Sequence, residues 1–287
     1  MRVTCDVLVI GSTGMLGSAV LRFFHSQGKY KALGTSRQIE VSEKLASVSD
    51  FILKGVDVGK PCSLDNIVNQ HRPTVVINCV GLVKQVDSAA DPLKAIAINS
   101  MFPHQLHHIC KKNGARLIHI STDCVFDGSS GLYTENDWPN ATDLYGKTKF
   151  LGEIIAPGAV TLRTSIIGHE INKGHSLLEW FLEQRSAVKG FRNAIFSGFP
   201  TVELARVIHD YIVPNQALTG LYHVSADPID KFALLNLIAK QYKREINITA
   251  DYDFIIDRSL NSSKFALATG FEPTSWPDMI ALMHHFG

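Results

Sequence analysis

The sequence predicts an α/β protein with a doubly wound parallel sheet and a smaller C-terminal α/β lobe. The runs 6–11 and 74–81 are short and mainly apolar, which is typical of strands buried on both faces of a parallel sheet. Stretches with helical periodicity separate such runs, and strands that alternate with helices favour right-handed crossovers. Further strands are expected at 31–35, 51–58, 116–121 and 160–168.

Composition limits the classes of partner. The chain has 287 residues, 45% of them hydrophobic, and a formal net charge of +1. It can therefore bury a large core, but it has no excess charge for nucleic acid or for an acidic membrane surface. Its five cysteines include no Cys-x-x-Cys pair, which favours reduced thiols, a cytoplasmic location and no metal site. No apolar run is long enough to span a bilayer.

A glycine-rich turn follows the first predicted strand. Gly11, Gly14 and Gly17 precede a helix-like run, and glycines at such a place let a pyrophosphate approach the backbone at a helix N-terminus. The spacing differs from the Gly-x-Gly-x-x-Gly of the usual dehydrogenase turn, and a turn without a ligand is the alternative. We expect a Rossmann-type cofactor site that also includes Ser12, Thr13, Met15 and Leu16.

The ends of the next two predicted strands indicate which dinucleotide binds. Ser36 and Arg37 stand where an NAD site usually carries an acid, and an arginine can pair with a 2′-phosphate. NADPH is therefore expected, although Glu40 keeps NADH possible. Asp57 and Val58 end the third strand, where the acid could contact adenine or cap the next helix.

Two segments are expected beside the nicotinamide. The strand 74–81 delivers Cys79, Val80 and Gly81 to the carboxyl edge of the sheet, where ligands bind in doubly wound folds. Asn99 lies within the helical periodicity of 91–113. A buried asparagine needs hydrogen-bond partners, and a position near the active site would supply them.

Thr122, Tyr145 and Lys149 form the candidate catalytic group. Tyr145 and Lys149 are four residues apart, so on a helix they share one face. A lysine cation beside a phenol is expected to lower the pKa of the phenol, which makes tyrosine a usable acid near neutral pH. Thr122 follows a predicted strand and could bind the same reacting oxygen. The group suits proton transfer to a carbonyl that receives a hydride.

Together these motifs resemble the extended short-chain dehydrogenase/reductase family, and within it dTDP-4-dehydrorhamnose reductase and related nucleotide-sugar reductases. The most specific block, 120–153, contains Ser121-Thr-Asp-Cys-Val-Phe-Asp-Gly128, Tyr145-Gly-Lys-Thr-Lys149 and Gly152-Glu153. The resemblance implies an NADP-binding Rossmann domain over 1–160, with later strands returning to its sheet, and a mainly substrate-binding lobe over 161–287.

The same resemblance implies a reaction. An NADPH-dependent oxidoreductase of this kind reduces the 4-keto group of a nucleotide-linked 6-deoxy sugar, as in dTDP-rhamnose and polysaccharide biosynthesis. Tyr145 would be the general acid, Lys149 would tune Tyr145 and bind the nicotinamide ribose, and Thr122 would orient the carbonyl. The implied partner is a nucleotide-sugar substrate, and a homodimer is compatible with the family.

Substrate contacts are expected from several residues besides Thr122. Lys84 could meet a diphosphate or a sugar carboxylate, or could face water. Arg163 could contact the nucleotide or form a structural pair. Arg192 could bind the diphosphate, because a guanidinium binds two oxygens at once. The remaining candidates are Asp123, Cys124 and Val125.

Cys124 keeps a second activity open. It replaces the family's usual aromatic residue, and a cysteine at this place resembles GDP-fucose synthase, where it is paired with a histidine for epimerisation. His169 is one residue out of register with that histidine, and a packed cysteine is the more common role. The hypotheses are thus a reductase, a bifunctional epimerase/reductase, and a non-catalytic cofactor-binding regulatory subunit, against which the intact Thr122, Tyr145 and Lys149 argue.

Overall fold

A computed structural model describes residues 4–82, 91–171 and 176–287 of the chain. Its strands are β1 (Val7–Ile10), β2 (Ala32–Thr35), β3 (Ile52–Leu53), β4 (Val75–Asn78), β5 (Arg116–Thr122), β6 (Ala159–Thr164), β7 (Ile166–Ile167), β8 (Val188–Phe191), β9 (Ala194–Phe196), β10 (Phe199–Pro200), β11 (Gly220–His223), β12 (Ile229–Asp230), β13 (Ile248–Asp251) and β14 (Ile256–Asp257).

Within the described residues, the main sheet has seven strands in the order β11-β6-β5-β4-β1-β2-β3. All of its pairs are parallel, which confirms the predicted doubly wound fold. The chain order reverses between β1 and β4, where β1 pairs with both β2 and β4. In such sheets this switch point opens a crevice at the carboxyl ends of the strands.

The helices cover both faces of the main sheet. They are α1 (Met15–Gln27), α2 (Pro61–His71), α3 (Pro92–Ala95), α4 (Phe102–Asn113), α5 (Leu144–Leu151), α6 (Leu177–Glu183), α7 (Thr201–Val207), α8 (Lys231–Gln241), α9 (Ser263–Thr269) and α10 (Trp276–Phe286). Short 3₁₀ segments occupy Glu43–Phe51 and Asp123–Val125, and π-helical turns occupy Ile96–Met101 and Ile208–Ile212.

Two hydrophobic cores form because successive strand residues point to opposite faces. In β1, Val7 and Val9 join the core that includes α1, α7, α8 and α10, whereas Leu8 and Ile10 join the core under α2 and α4. All four side chains are fully buried. Burial on both faces of the sheet therefore explains the uninterrupted apolar runs in the sequence, as predicted.

The C-terminal half also forms small sheets. They have the orders β10-β7, β12-β9-β14 and β13-β8. Strand β14 and the residue after it approach the turn that follows β5, since a Cβ on Gly128 would lie 2.5 Å from Cγ1 of Ile256 and 3.0 Å from Cγ of Arg258. In the part of the chain described, every helix is too short or too polar to cross a membrane.

The structure also corrects two predicted elements. The third strand is confined to Ile52–Leu53 instead of spanning 51–58. The single helix predicted over 91–113 is divided into α3, a π-helical turn and α4. Asn99 lies in that turn, and π-turns occur frequently at functional sites.

Candidate active site

The glycine turn between β1 and α1 has the geometry of a phosphate cradle. Gly11 adopts a φ of 82°, a left-handed conformation that favours glycine, and a Cβ there would lie 2.7 Å from Cγ2 of Val80. A Cβ on Gly17 would collide with the carbonyl oxygen of Gly11. Gly14 caps α1 and has no side chain to accept from its first N–H groups, so these groups stay available to a ligand.

Ser12, Ser36 and Arg37 lie beside this turn and differ in burial and in hydrogen bonding. Ser12 is buried, and its hydroxyl donates to the carbonyl oxygen of Thr35 at 3.1 Å, which fastens the turn to β2. Ser36 is buried as well, and its hydroxyl accepts from the N–H of Gln38. Arg37 follows at the surface. It is therefore accessible to a phosphate on the outer side of the crevice.

Asp57 does not cap the helix that follows it. Helix α2 begins after Lys60 and has no side-chain cap, whereas the Asp57 carboxylate accepts from the N–H of Gly59 at 3.0 Å. The helix-cap alternative is therefore wrong. Asp57 and Val58 remain half-buried near the adenine end predicted for the crevice.

Asn99 joins the loop after β4 to α5, the helix that carries Tyr145 and Lys149. Its Oδ1 accepts from the N–H of Leu82 at 2.8 Å, and its Nδ2 donates to the carbonyl oxygen of Leu82 and to Oγ1 of Thr148. A Cβ on Gly81 would lie 3.6 Å from Oδ1 of Asn99 and 3.8 Å from Nζ of Lys149. Gly81 therefore lets the loop approach both polar groups, and Asn99 has the partners expected for a buried amide.

The structure brings Thr122, Tyr145 and Lys149 together at the carboxyl edge of β5. Thr122 is the last residue of β5, and its side chain shares a hydrogen bond with Tyr145. Tyr145 and Lys149 lie on α5, and Nζ of Lys149 donates to the carbonyl oxygen of Ile120 at 2.7 Å. A Cβ on Gly146 would collide with the carbonyl oxygen of Cys124, so glycine allows α5 to approach the turn after β5.

The electrostatics differ from the sequence prediction. Burial raises the pKa of Tyr145 above its usual range, and the nearby Cys124 raises it further. Burial also lowers the pKa of Lys149 to about 8. The pKa of the phenol is therefore raised and not lowered as the motif predicted, because desolvation disfavours the phenolate. Tyr145 therefore holds its proton at neutral pH, as a general acid requires.

Arg163 is a structural group in this protein and not the substrate contact considered from the sequence. It is 2% exposed. Its Nε and Nη2 donate to the two carboxylate oxygens of Glu153, both at 2.8 Å, and its Nη1 lies 3.2 Å from Nε2 of His223. This arrangement is the structural pairing considered as the alternative, and the guanidinium carbon also lies 5.1 Å from the centre of the Phe126 ring.

The other substrate-side candidates have distinct surroundings. Val125 is fully buried in a small core with Phe126, Tyr133 and Leu260, so its role is packing. Asp123 accepts from the Thr122 hydroxyl at 3.0 Å, and burial raises the pKa of its carboxyl group. Arg192 forms an ion pair with Asp230 at 3.2 Å while its side chain stays 40% exposed. Lys84 lies outside the described residues.

With this geometry in place, comparison with known proteins gives the family. The model of the RmlD substrate binding domain matches residues 5–284. The chain belongs to this family. Among its relatives, dTDP-4-dehydrorhamnose reductase of Aggregatibacter actinomycetemcomitans is 24% identical, over 94% of this chain and 95% of the relative. Methionine adenosyltransferase 2 subunit beta of Danio rerio is 30% identical, over 82% of this chain and 73% of the relative.

A solved structure has the same fold. That of dTDP-4-dehydrorhamnose reductase from Bacillus anthracis in complex with NADP has a TM-score of 0.81 and 20% identity, over the full length of both chains. This RmlD-family fold agrees with the resemblance inferred from the sequence motifs.

Two cations of this RmlD-family site escaped the sequence prediction. Arg258 donates from Nε to the carbonyl oxygen of Phe126 at 2.8 Å, and its Nη1 lies 3.9 Å from Sγ of Cys124. Burial lowers the pKa of Lys231, on which Asp123, Arg258 and Cys124 act electrostatically. The run Asp257-Arg-Ser-Leu-Asn261 was a signal for Arg258, whereas Lys231 has the sequence context of an ordinary helix start.

His169 contacts other groups than Cys124. Its Nε2 lies 2.8 Å from the hydroxyl of Tyr242, and its Nδ1 lies 3.3 Å from Oε1 of Glu179. The ring nitrogens thus have partners on α6 and just after α8. The structure offers no support for the Cys124–His169 pair that the epimerase hypothesis requires.

Proposed function

We propose that this protein is an NADPH-dependent reductase that acts on the 4-keto group of a nucleotide-linked 6-deoxy sugar. The observation that carries the proposal is the meeting of Thr122, Tyr145 and Lys149 at the carboxyl edge of β5. The loop at Gly81 and the amide of Asn99 lie beside the same lysine. Such an edge is the usual ligand site of a doubly wound sheet.

The residues of the crevice fit a dinucleotide. Close approach at Gly11 and Gly17 leaves no room for a Cβ, and the uncapped start of α1 favours a pyrophosphate. Arg37 supports a 2′-phosphate and hence NADPH, while the exposed Glu40 keeps NADH open. Lys149 and Asn99 would hold the nicotinamide ribose. When bound, the nicotinamide supplies the hydride.

The protein residues supply the proton. Tyr145 is protonated at neutral pH, since burial raises a pKa that is already alkaline, so it can donate to the oxygen of a carbonyl that accepts a hydride. The Thr122 hydroxyl orients that oxygen. After donation, the Lys149 ammonium stabilises the phenolate by charge. General acid catalysis of this kind contributes about 10²–10⁴-fold in rate.

The C-terminal half supplies cations for the nucleotide. Arg192, Lys231 and Arg258 come from β8–β9, α8 and the segment after β14, and two of them act on the Asp123–Cys124 turn. Guanidinium and ammonium groups are suited to a diphosphate. Since a relative that matches nearly the whole chain is a dTDP-4-dehydrorhamnose reductase, a dTDP-linked sugar is the first substrate to test.

A direct assay tests the proposal. NADPH oxidation should be followed by absorbance with dTDP-, UDP- and GDP-linked 4-keto-6-deoxy sugars, for the native chain and for Tyr145→Phe. The variant loses the acid, and we expect its kcat to fall about 10²-fold or more, with NADPH binding retained. Near-native turnover by Tyr145→Phe would contradict the assignment of the acid.

A second candidate is a non-catalytic cofactor-binding subunit. The 30% identity to methionine adenosyltransferase 2 subunit beta favours it. Tight NADPH binding without turnover of any nucleotide sugar, together with an altered rate of an added methionine adenosyltransferase, would support this candidate.

The epimerase/reductase hypothesis has its own test. If turnover occurs in D₂O, deuterium at C3 or C5 of the product would indicate the epimerase/reductase, and Cys124→Ser should then abolish the incorporation.

A further inference from the structure

Glu153 lies buried directly behind the catalytic group. It follows the end of α5 and is four residues beyond Lys149. Its carboxylate accepts from the hydroxyl of Ser121 at 2.7 Å and from Nε and Nη2 of Arg163 at 2.8 Å each. The charge is therefore retained in the interior by charge-assisted hydrogen bonds. Its pairing with Arg163 is described above, but the proposed proton transfer assigns this carboxylate no role.

The first link runs from Glu153 to Thr122. Ser121 directly precedes Thr122 on β5, and successive residues of a strand point to opposite faces. Ser121 is 4% exposed. Its bond to Glu153 anchors the strand from behind while Thr122 points toward Tyr145. A shift of this strand end would move the hydroxyl that orients the carbonyl.

The second link runs from Glu153 to Lys149. Glu153 and the Cys79 thiol act on Lys149 electrostatically, and Lys149 acts on the imidazole of His119. Burial raises the pKa of Cys79 to about 12 and lowers that of His119 well below its usual value, so both are uncharged at neutral pH. Of these three groups, Glu153 is thus the one that presents a charge to the ammonium.

His223, the other partner of the Arg163 guanidinium, is held in one protonation state. Nδ1 of His223 lies 2.8 Å from the carbonyl oxygen of Tyr133. A carbonyl oxygen only accepts, so Nδ1 carries the proton and Nε2 accepts from Arg163. Burial lowers the pKa of His223 to about 3, and the imidazole stays neutral. Arg163 therefore has a fixed orientation toward Glu153.

We propose that Glu153 is a positioning residue for the reaction. Through Ser121 it fixes the end of β5 that carries Thr122, and its carboxylate places a negative charge behind the Lys149 ammonium that stabilises the tyrosinate. Arg163 holds the carboxylate of Glu153 in its orientation through two hydrogen bonds. The catalytic part of this inference rests on the proposed reductase function, whereas the effect on the Lys149 charge does not.

The test measures the Lys149 titration directly. Protein labelled with ¹³C at the lysine Cε is titrated by NMR, and the Lys149 signal is assigned by its loss in Lys149→Met. We expect Glu153→Gln to lower the titration midpoint of Lys149 by about one pH unit. The double variant Glu153→Gln/Arg163→Met should shift the midpoint in the same direction without leaving an unpaired buried arginine. Glu153→Asp, which keeps the charge, should restore most of the native midpoint.

Arg116→Met is the matched control. Like Arg163 on β6, Arg116 on β5 is a buried arginine, but it donates to the carbonyl oxygens of Ile212 and Leu218. Its loss should lower stability and leave the Lys149 midpoint unchanged. For Ser121→Ala, which removes the link to the strand, we expect kcat to fall about tenfold to a hundredfold with the Lys149 midpoint close to native.

The outcomes distinguish a failure of the roles proposed for Glu153 from a failure of the proposed reductase function. An unchanged Lys149 midpoint in both Glu153→Gln and the double variant would overturn the electrostatic role, and native kcat in Ser121→Ala would overturn the positioning role. If the native protein reduces no nucleotide sugar, the proposed function and the positioning role fail together, but the NMR titration still decides whether Glu153 controls the charge of Lys149.

Discussion

Two buried cations lie on neighbouring elements of this protein, and their surroundings differ. Lys149 is 5% exposed and Arg163 is 2% exposed. Arg163 is satisfied by both oxygens of Glu153 and by His223. Lys149 donates to a neutral carbonyl oxygen, and burial lowers its pKa to about 8. A charged group whose donors are all paired usually has a structural role. A charged group with a shifted pKa at the edge of a crevice is typical of a functional site.

The largest expected effect on stability separates these two cations. Replacement of Arg163 by Met leaves the carboxylate of Glu153 buried without its partner, which should cost about 3–5 kcal/mol in the free energy of unfolding. Urea unfolding measures this loss. The double variant Glu153→Gln/Arg163→Met should recover most of it, and a loss below about 1 kcal/mol for Arg163→Met would contradict the structural role of the pair.

Replacement of Lys149 by Met, in contrast, should lower the catalytic rate and not the stability. In Lys149→Met the phenolate of Tyr145 loses the charge that stabilises it, so kcat should fall about 10²-fold or more. Because burial already disfavours the Lys149 ammonium, the free energy of unfolding should stay native or rise. Steady-state assays and urea unfolding on the same preparation test both parts. A stability loss as large as that of Arg163→Met would remove the distinction between the cations.

The pH dependence of kcat/KM sharpens the contrast. Lys149 is charged below its pKa of about 8 and neutral above it, so kcat/KM for the reduction should fall about tenfold per pH unit above 8. Tyr145 does not titrate in this range because burial raises its pKa. Rates from pH 6.5 to 9.5 test this, and Lys149→Met should lack the decline. A native profile that is flat to pH 9.5 would be evidence against the role of Lys149.

The smallest expected effect concerns the imidazole that orients Arg163. His223 has a pKa lowered from 6.5 to about 3, so between these values the unfolded chain binds a proton that the folded protein excludes. Its contribution to stability is therefore intact above pH 6.5 and declines by about 1.4 kcal/mol per pH unit below it. Urea unfolding at pH 7.5 and 5.5 should show a weaker pH dependence in His223→Gln. Equal dependence in both proteins would contradict a buried neutral imidazole.

Local motifs carried much of the site prediction. The glycine turn and the Tyr145–Lys149 spacing depend on residues close in sequence, and α5 and the turn before α1 have the predicted positions. The contact of Arg258 with Cys124 joins residues 134 apart, and no local pattern contains it. The π-helical turn at Asn99 was also missed, because its apolar periodicity resembles that of a continuous helix.

The sequence by itself determined the fold class, the family and the residue types of the candidate catalytic group, because continuous apolar runs, glycine spacing and the four-residue helical interval are local properties of the chain. Only the tertiary structure decided the charges. It assigned Arg163 to Glu153 instead of to substrate, and it raised the pKa of Tyr145 where the motif predicted a lower value. The physical reason is desolvation, which depends on everything packed around a group and therefore on contacts from distant parts of the chain.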